Sequence, residues 1–237
     1  MKKGLTELVF VLDKSGSMSG LEKDTIGGFN SMLAKQKEVD GECLITTVLF
    51  DNGYELLHDR IDICAVSPIT EKEYSVGGST ALLDAIGRTI NKISNAQRHT
   101  ADEFRAENVM FVIITDGEEN ASREYLSDKV KAQIQRQKEK YGWEFVFLGA
   151  NIDAVETASR FGIAPDRAQN YHADGEGTAL NFRVMSETVA TFRACSAMPT
   201  GWSDEIQKDY RRRGGRKECL ELSTEILSAR STSGIII

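Results

Sequence analysis

The sequence predicts an α/β protein with a doubly wound, mostly parallel sheet, one antiparallel edge strand and helices on both faces. Short apolar runs alternate with helical patterns over about 190 residues, the order that builds parallel sheets from strand–helix–strand units. The run at 108–117 begins with an almost continuous apolar stretch, which is typical of a central strand covered on both faces. Together these observations indicate a Rossmann-like architecture.

The individual elements follow from hydrophobic periodicity and from turn residues. Apolar residues that recur every three or four positions indicate helices, and short β-rich runs indicate strands. Asn52-Gly53 is a strong hairpin signal that makes the third strand antiparallel to the second. Gly142 is expected to end the third helix and Asp153 to cap the fourth. The predicted strands lie at 8–13, 43–51, 54–63, 108–117, 143–150 and 167–173, and the predicted helices at 21–39, 80–97, 123–142, 153–163 and 177–194.

The pattern divides the chain into one domain at 1–195 and a C-terminal extension at 196–237. A length of 237 residues is compatible with a single large core. Beyond about Ala197 the periodicity decays, so the extension is expected to be poorly packed or partly helical. The basic run at 211–217 is expected to be a solvated tail rather than a binding patch.

Composition excludes several functional classes. The net charge of −7 argues against a surface for nucleic acid or for an anionic membrane. No apolar stretch approaches the roughly 20 residues that a membrane-spanning helix needs, and Glu7 and Asp13 bracket the first apolar run, unlike in a signal peptide. The four cysteines are far apart in the sequence, which favours reduced thiols in a cytoplasmic protein over a zinc cage or a disulfide framework.

Oxygen-bearing side chains follow the first and fourth predicted strands. Asp13, Ser15 and Ser17 come directly after the first strand, and Asp116 occupies the matching place in "TDGEEN". Thr80 ends the glycine-rich loop before the second helix. If the first and fourth strands are neighbours, these loops converge at the carboxyl edge of the sheet, where open α/β sheets bind ligands. Oxygen donors without histidine or cysteine fit a hard divalent cation such as Mg²⁺.

These three separated parts, Asp13-x-Ser15-x-Ser17, Thr80 and Asp116, resemble the metal-ion-dependent adhesion site (MIDAS) of von Willebrand factor type A (VWA) domains. The resemblance covers roughly residues 1–195 and implies the doubly wound VWA fold. In that family the matching positions hold Mg²⁺ or Mn²⁺, with Ca²⁺ a further possibility here, and a partner protein's Glu or Asp often completes the coordination. The resemblance therefore implies a bacterial cytoplasmic interaction module with a scaffold or regulatory role.

Other interpretations of the same residues remain open at this point. Asp13 and the two serines also suit an ordinary turn, and Thr80 suits a helix cap. Glu118 and Glu119 are expected to be solvated loop charges, with the alternatives that they tune the electric field of the site or hold a neighbouring loop.

Enzymatic functions have weaker support in the sequence. There is no phosphate-binding glycine motif, and "GSMSG" places Met18 where a nucleophile elbow has serine. The main alternative function is a metal-dependent phosphoester hydrolase that uses the same site, although position 15 holds Ser where an acid/base carboxylate is usual. A third interpretation is a structural domain that has lost its metal.

Overall fold

The computed structural model describes residues 1–215, and within them a six-stranded sheet carries helices on both faces. The strands are β1 Lys2–Asp13, β2 Cys43–Phe50, β3 Tyr54–Asp62, β4 Ala106–Thr115, β5 Glu144–Gly149 and β6 Ala168–Asn170. The helices are α1 Glu22–Lys37, α2 Leu82–His99, α3 Ser127–Tyr141, α4 Ala154–Arg160, α5 Gly175–Cys195 and α6 Asp204–Arg212. The strand order is β3-β2-β1-β4-β5-β6, and only the β2–β3 pair is antiparallel. The predicted fold class is confirmed.

Hydrophobic alternation along the central strands divides the core into two layers. Leu8, Phe10 and Leu12 of β1 belong to the layer beneath α1 and α5, whereas Val9 and Val11 belong to the layer beneath α2 and α3. All of these side chains are buried. The strand β4 alternates between the same two layers, so the prediction of a central strand covered on both faces is confirmed. Because the side-chain period of a strand is two, this two-sided burial fixes the register of the sheet.

Turn and capping residues behave as the sequence predicts. Gly142 ends α3 with a left-handed φ of 66°, a conformation that glycine adopts without a Cβ penalty. The Asp153 carboxylate accepts a hydrogen bond from the amide of Glu156 at 2.9 Å and caps α4. Asp51 accepts from the amide of Gly53 at 2.6 Å and closes the β2–β3 turn.

The first part of the predicted extension is helical and packs on the main core. The helix α6 lies against α5 and β6. Ile206 and Trp202 are buried in the same layer as the residues of α1 and α5, and the indole N–H of Trp202 donates to the carbonyl of Asp166 at 2.8 Å. Residues 204–212 are thus helical and packed. The domain boundary at residue 195 stays a prediction, and residues 216–237 lie outside the described part of the chain.

The packing of α6 gives a stability prediction. Ile206→Ala is expected to lower the free energy of unfolding by about 2–4 kcal/mol, because a buried branched side chain leaves a cavity. Leu126→Ala is the matched control, since Leu126 is 77% exposed and its truncation should change stability by less than about 0.5 kcal/mol. Urea denaturation of the 237-residue chain measures both values, and equal stability of the Ile206→Ala variant and wild type would show that α6 does not pack on the core in solution.

The loop between β4 and α3 is anchored on α2 by one carboxylate. Asp84 accepts hydrogen bonds from the amides of Arg123, Glu124 and Tyr125 at 2.8–2.9 Å. These hydrogen bonds hold residues 123–125 against α2, and α3 begins at Ser127 rather than at the predicted residue 123. Burial raises the pKa of Asp84. The hydrogen bonds from the three amides lower this pKa by a larger total amount, so the net shift is downward.

The Asp84 anchor gives a prediction with a defined pH dependence. Asp84→Asn is expected to destabilise the fold by about 2 kcal/mol near neutral pH, because its side-chain NH₂ would face backbone donors. A lowered folded-state pKa contributes stability above the unfolded value of about 3.9 and loses it as the pH falls through the folded pKa. The stability difference between wild type and variant should therefore shrink below about pH 4.

Thermal denaturation between pH 3 and pH 7 measures this difference. Asp40→Asn serves as the control, since Asp40 is exposed and should show no comparable effect. A difference that stays constant across the pH range would contradict a role for the ionised carboxylate.

Candidate metal site

Parallel pairing of β1 and β4 brings the first and third parts of the predicted site together. Leu12 lies opposite Ile114 in the register, so the strands end at the same edge with Asp13 and Asp116 beside each other. This confirms that the first and fourth strands are neighbours. The hydroxyl of Thr115 donates to Asp13 Oδ2 at 2.5 Å and ties the two strand ends.

The glycine-rich loop before α2 is held against the end of β1 by backbone hydrogen bonds. The amide of Gly16 donates to the carbonyl of Gly78 at 3.1 Å, and the amide of Gly77 donates to the carbonyl of Lys14 at 2.9 Å. Gly78 has a φ of +74°, a left-handed conformation that suits glycine. These contacts carry Thr80 to the ends of the two central strands.

The hydroxyls of the site form a connected cluster. Ser15 Oγ lies 2.9 Å from Ser17 Oγ, and Thr80 Oγ1 donates to Ser15 Oγ at 3.1 Å. Ser15 and Thr80 are buried whereas Ser17 is exposed, so the cluster opens to solvent on the Ser17 side. Thr80 does not cap the helix, because α2 begins at Leu82 with Ala81 as its N-cap residue and no side-chain cap.

Asp13 is fully hydrogen-bonded by its surroundings. Its Oδ1 accepts from the amide of Ser15 at 2.7 Å, and its Oδ2 accepts from Thr115 as described. Burial raises the pKa of Asp13, and these hydrogen bonds offset part of that shift. The phenol of Tyr74 donates to the Asp13 carbonyl at 2.5 Å, so both the backbone and the carboxylate of this residue are fixed.

Asp116 has the opposite environment. Both of its carboxylate oxygens are buried, and neither has a hydrogen-bond partner within residues 1–215. Burial, with a contribution from the charge of Asp13, raises the pKa of Asp116 to about 6. The Ser17 hydroxyl is close enough to oppose this shift without reaching hydrogen-bond geometry. Buried carboxylates are normally paired, hydrogen-bonded or bound to a metal, and Asp116 lacks the first two.

Gly117 leaves room for the oxygen cluster. A Cβ at this position would lie 3.0 Å from Ser17 Oγ and 3.2 Å from Thr80 Oγ1. Any larger residue would therefore push into the hydroxyls that face Asp116.

The loop after β4 positions Thr80 through residues that the sequence did not single out for this role. The amide of Thr80 donates to Asn120 Oδ1 at 2.9 Å, and the carbonyl of Thr80 accepts from the amides of Asn120 and Ala121. Glu119 accepts from the amides of Leu83 and Ser122, so it holds the neighbouring loop and the expectation of a solvated charge is wrong for it. Glu118 is exposed as expected.

These residues fit a hard cation by the chemistry of their donors. Within residues 1–215 there is no group of three or more His, Cys, Asp or Glu side chains arranged to hold a metal. The candidate site has only two carboxylates, and its remaining donors are hydroxyls. Oxygen donors of this kind suit Mg²⁺, Mn²⁺ or Ca²⁺ and not zinc or copper.

A comparison with known proteins identifies the fold. No family model and no curated protein matches the chain. Among solved structures, a VWA protein from Catenulispora acidiphila superposes with a TM-score of 0.55 and 16% identity, over 78% of this chain and 42% of that one. The vWF domain of the type V pili tip protein Mfa5 from Porphyromonas gingivalis gives 0.56 and 12%, over 78% and 95%.

A third structure shows the same likeness. A mutant of the PilB minor pilin from Streptococcus sanguinis gives a TM-score of 0.56 and 11% identity, over 81% of this chain and 63% of that one. The chain thus spans less than two thirds of the pilin and less than half of the Catenulispora protein. Identities this low establish the fold alone, and the fold of this chain is that of the von Willebrand factor type A domains.

Proposed function

We propose that this chain is a divalent-metal-dependent protein-interaction module that binds an acidic side chain of a partner protein. The observation that carries the proposal is the buried, unpartnered carboxylate of Asp116 beside a cluster of three hydroxyls and a second carboxylate. The residues that would hold the cation are Asp13, Ser15, Ser17, Thr80 and Asp116.

The composition of the site explains why a partner would be needed. A bound Mg²⁺, Mn²⁺ or Ca²⁺ supplies an electropositive centre that attracts a further oxygen ligand. Three of the five protein donors are neutral hydroxyls. With the hydroxyls as direct ligands and a carboxylate one shell out, the cation would keep positive charge. Because Ser17 and Glu118 are exposed at this edge, a Glu or Asp side chain from another protein has access to it.

The structural neighbours agree with an interaction role. The neighbours described above include a minor pilin and a pili tip protein, and these descriptions apply to those proteins. No helix within residues 1–215 is long and apolar enough to cross a membrane. The cytoplasmic location and the scaffold or regulatory role, both implied by the sequence resemblance, remain part of this proposal, which involves neither nucleic acid nor membrane.

The hydrolase alternative has less support from the local contacts. The Asp13 carboxylate accepts hydrogen bonds from the Ser15 amide and the Thr115 hydroxyl, and neither group is an acid or base suited to phosphoester hydrolysis. Position 15, where such chemistry usually has a second carboxylate, holds Ser15. Turnover of p-nitrophenyl phosphate that requires Mg²⁺ and is lost in Asp13→Ala would favour hydrolysis, whereas no turnover across a phosphoester panel would favour binding.

The environment of Asp116 predicts opposite effects of one substitution on stability and on metal binding. Asp116→Asn is expected to stabilise the metal-free protein by about 1–2 kcal/mol, because it removes a buried charge without partners. Mg²⁺ at a hundredfold excess over its Kd should stabilise wild type by about 2.7 kcal/mol and the variant very little. Thermal unfolding in EDTA and in MgCl₂, with calorimetry of Mg²⁺ binding, measures these effects.

Glu118→Gln is the matched control for this experiment. Glu118 is an exposed carboxylate two positions away, and its substitution should leave Mg²⁺ binding within about twofold of wild type, since it makes no contact with the cluster. Equal Mg²⁺ affinity of wild type and Asp116→Asn would refute the assignment. Absence of Mg²⁺, Mn²⁺ and Ca²⁺ binding to wild type would support a structural domain that has lost its metal.

The partner interaction is tested by affinity capture with three immobilised baits: wild type, Asp116→Asn and Glu118→Gln. We expect a partner that wild type and Glu118→Gln retain in MgCl₂, that EDTA elutes, and that Asp116→Asn fails to retain. One Glu→Gln or Asp→Asn substitution in that partner should then abolish retention, because the amide is a much poorer ligand for a hard cation. A partner retained equally in EDTA would contradict the proposal.

A further inference from the structure

The amino-terminal edge of the sheet contains a pocket that the proposed metal site does not use. We propose that this basal pocket, lined chiefly by Arg98, Arg105, Arg136, Gln137, Tyr141 and Trp143, binds a small organic oxyanion carried on a planar ring with a hydrogen-bond donor. The pocket lies between α2 and α3 below the starts of β4 and β5, and its volume is about 190 Å³.

The charges that line the pocket favour an anion. Its walls contain three arginines and one carboxylate, Glu107, and that carboxylate accepts a hydrogen bond from the amide of Gly4 at 2.8 Å. A guanidinium group presents its N–H groups as a planar fork that matches a carboxylate or phosphate. The pocket therefore has a net positive lining in a chain whose overall charge is −7.

Arg105 is held in place with part of its hydrogen-bonding capacity unused. One terminal nitrogen donates to the carbonyl of Thr100 at 3.0 Å, and the other pairs with Asp102 at 3.0 Å. Its Nε atom is buried and has no partner among the described residues. Arg98 and Arg136 are exposed at the mouth of the pocket, where they can reach an incoming ligand.

The side chain of Gln137 is the reason to expect a hydrogen-bond donor on the ligand. This side chain is only 4% exposed, and its NH₂ group lies 3.4 Å from Ser94 Oγ. Its Oε1 atom is buried and finds no donor anywhere in residues 1–215. Because an unsatisfied buried carbonyl costs about 1–3 kcal/mol, an O–H or N–H on the ligand would gain by reaching it.

The aromatic residues and the volume of the pocket favour a single planar ring. Trp143 is buried and stacks on Phe111 with ring centroids 5.6 Å apart, so its indole is a rigid apolar wall. Tyr141 lies at the more exposed end of the pocket. Ligand pockets commonly combine such apolar walls with a few convergent polar groups, and 190 Å³ is small for a ligand with several rings.

The basal pocket is remote from the candidate metal site. It borders Ala106 at the start of β4, whereas Asp116 follows the end of the same strand. Ten residues of strand span about 33 Å. Substitutions in the pocket should therefore leave Mg²⁺ binding unchanged, and failure of either proposal is distinguishable from failure of the other.

Calorimetry and saturation-transfer NMR with 4-hydroxybenzoate test the anion requirement. We expect saturable binding that is the same in EDTA and in MgCl₂, and that weakens at least about tenfold in Arg136→Gln and in Arg105→Gln. Arg136 is exposed, so its substitution should leave the fold intact even if Arg105→Gln destabilises it. Arg160→Gln is the control, since Arg160 is exposed on α4 and should not affect binding. No saturable binding of either 4-hydroxybenzoate or 4-hydroxyphenyl phosphate, or affinity unchanged in Arg136→Gln, would overturn the proposal.

A second set of ligands tests the donor requirement and identifies the anion. Wild type should bind 4-hydroxybenzoate about tenfold more tightly than benzoate, and Gln137→Met should lose this preference while still binding benzoate. Equal affinity of wild type for the two acids would overturn the donor assignment. Replacing the carboxylate with a phosphate, in 4-hydroxyphenyl phosphate, shows which oxyanion the arginines prefer; binding of either supports the proposal, and binding of neither overturns it.

Discussion

The hydrogen bond between Thr115 and Asp13 joins the ends of the two central strands. The candidate metal site depends on the register between these strands, β1 and β4. Leu12 lies opposite Ile114, and a slip of one residue would turn every side chain of β1 to the other face. Both faces of β1 are buried, so such a slip would move each apolar side chain into the opposite layer, where the packed space is shaped for a different side chain. The hydrophobic core therefore fixes the positions of the site oxygens, although it contributes none of them.

Much of the fold, and the meeting of the candidate site residues at one edge of the sheet, could be predicted from the sequence because both depend on local patterns. Strand ends are visible as apolar runs that stop at Asp13 and Asp116, and the rule that parallel strands meet at one edge brings them together. Thr80 could be placed because a glycine-rich loop precedes a strongly periodic helix.

The supporting residues could not be predicted because their partners are distant in the sequence. Asp84 looks like an ordinary polar residue in the first turn of α2, yet its three donors lie 39 to 41 positions away. The segment that it binds lies within the helix predicted at 123–142, whereas the observed helix begins at Ser127. Glu119 likewise acts on the start of α2, 36 positions away. Such contacts require the assembled sheet before they exist.

The two buried carboxylates of the site differ in their hydrogen bonding. Asp13 is satisfied by protein donors and holds the strand ends in place without a ligand. Asp116 has no hydrogen-bond partner within residues 1–215 and is the destabilising member of the pair, a cost that the two-layer core has to offset. Sites that hold an unsatisfied charge ready for a ligand commonly carry such a cost. In the proposed function a bound cation would remove this destabilising effect of Asp116, so stability and partner binding would both depend on the same ion.

The two candidate sites at opposite edges of the sheet are lined by different charged groups. The carboxyl edge carries Asp13, Asp116 and Glu118, and the amino edge carries the arginines of the basal pocket. These edges are about 33 Å apart along β4, several times the Debye length of about 8 Å at physiological ionic strength. The charges at one edge therefore have little electrostatic effect at the other edge. An acidic partner would approach the carboxyl edge against local repulsion, and a divalent cation at that edge is what would reverse the sign of the interaction.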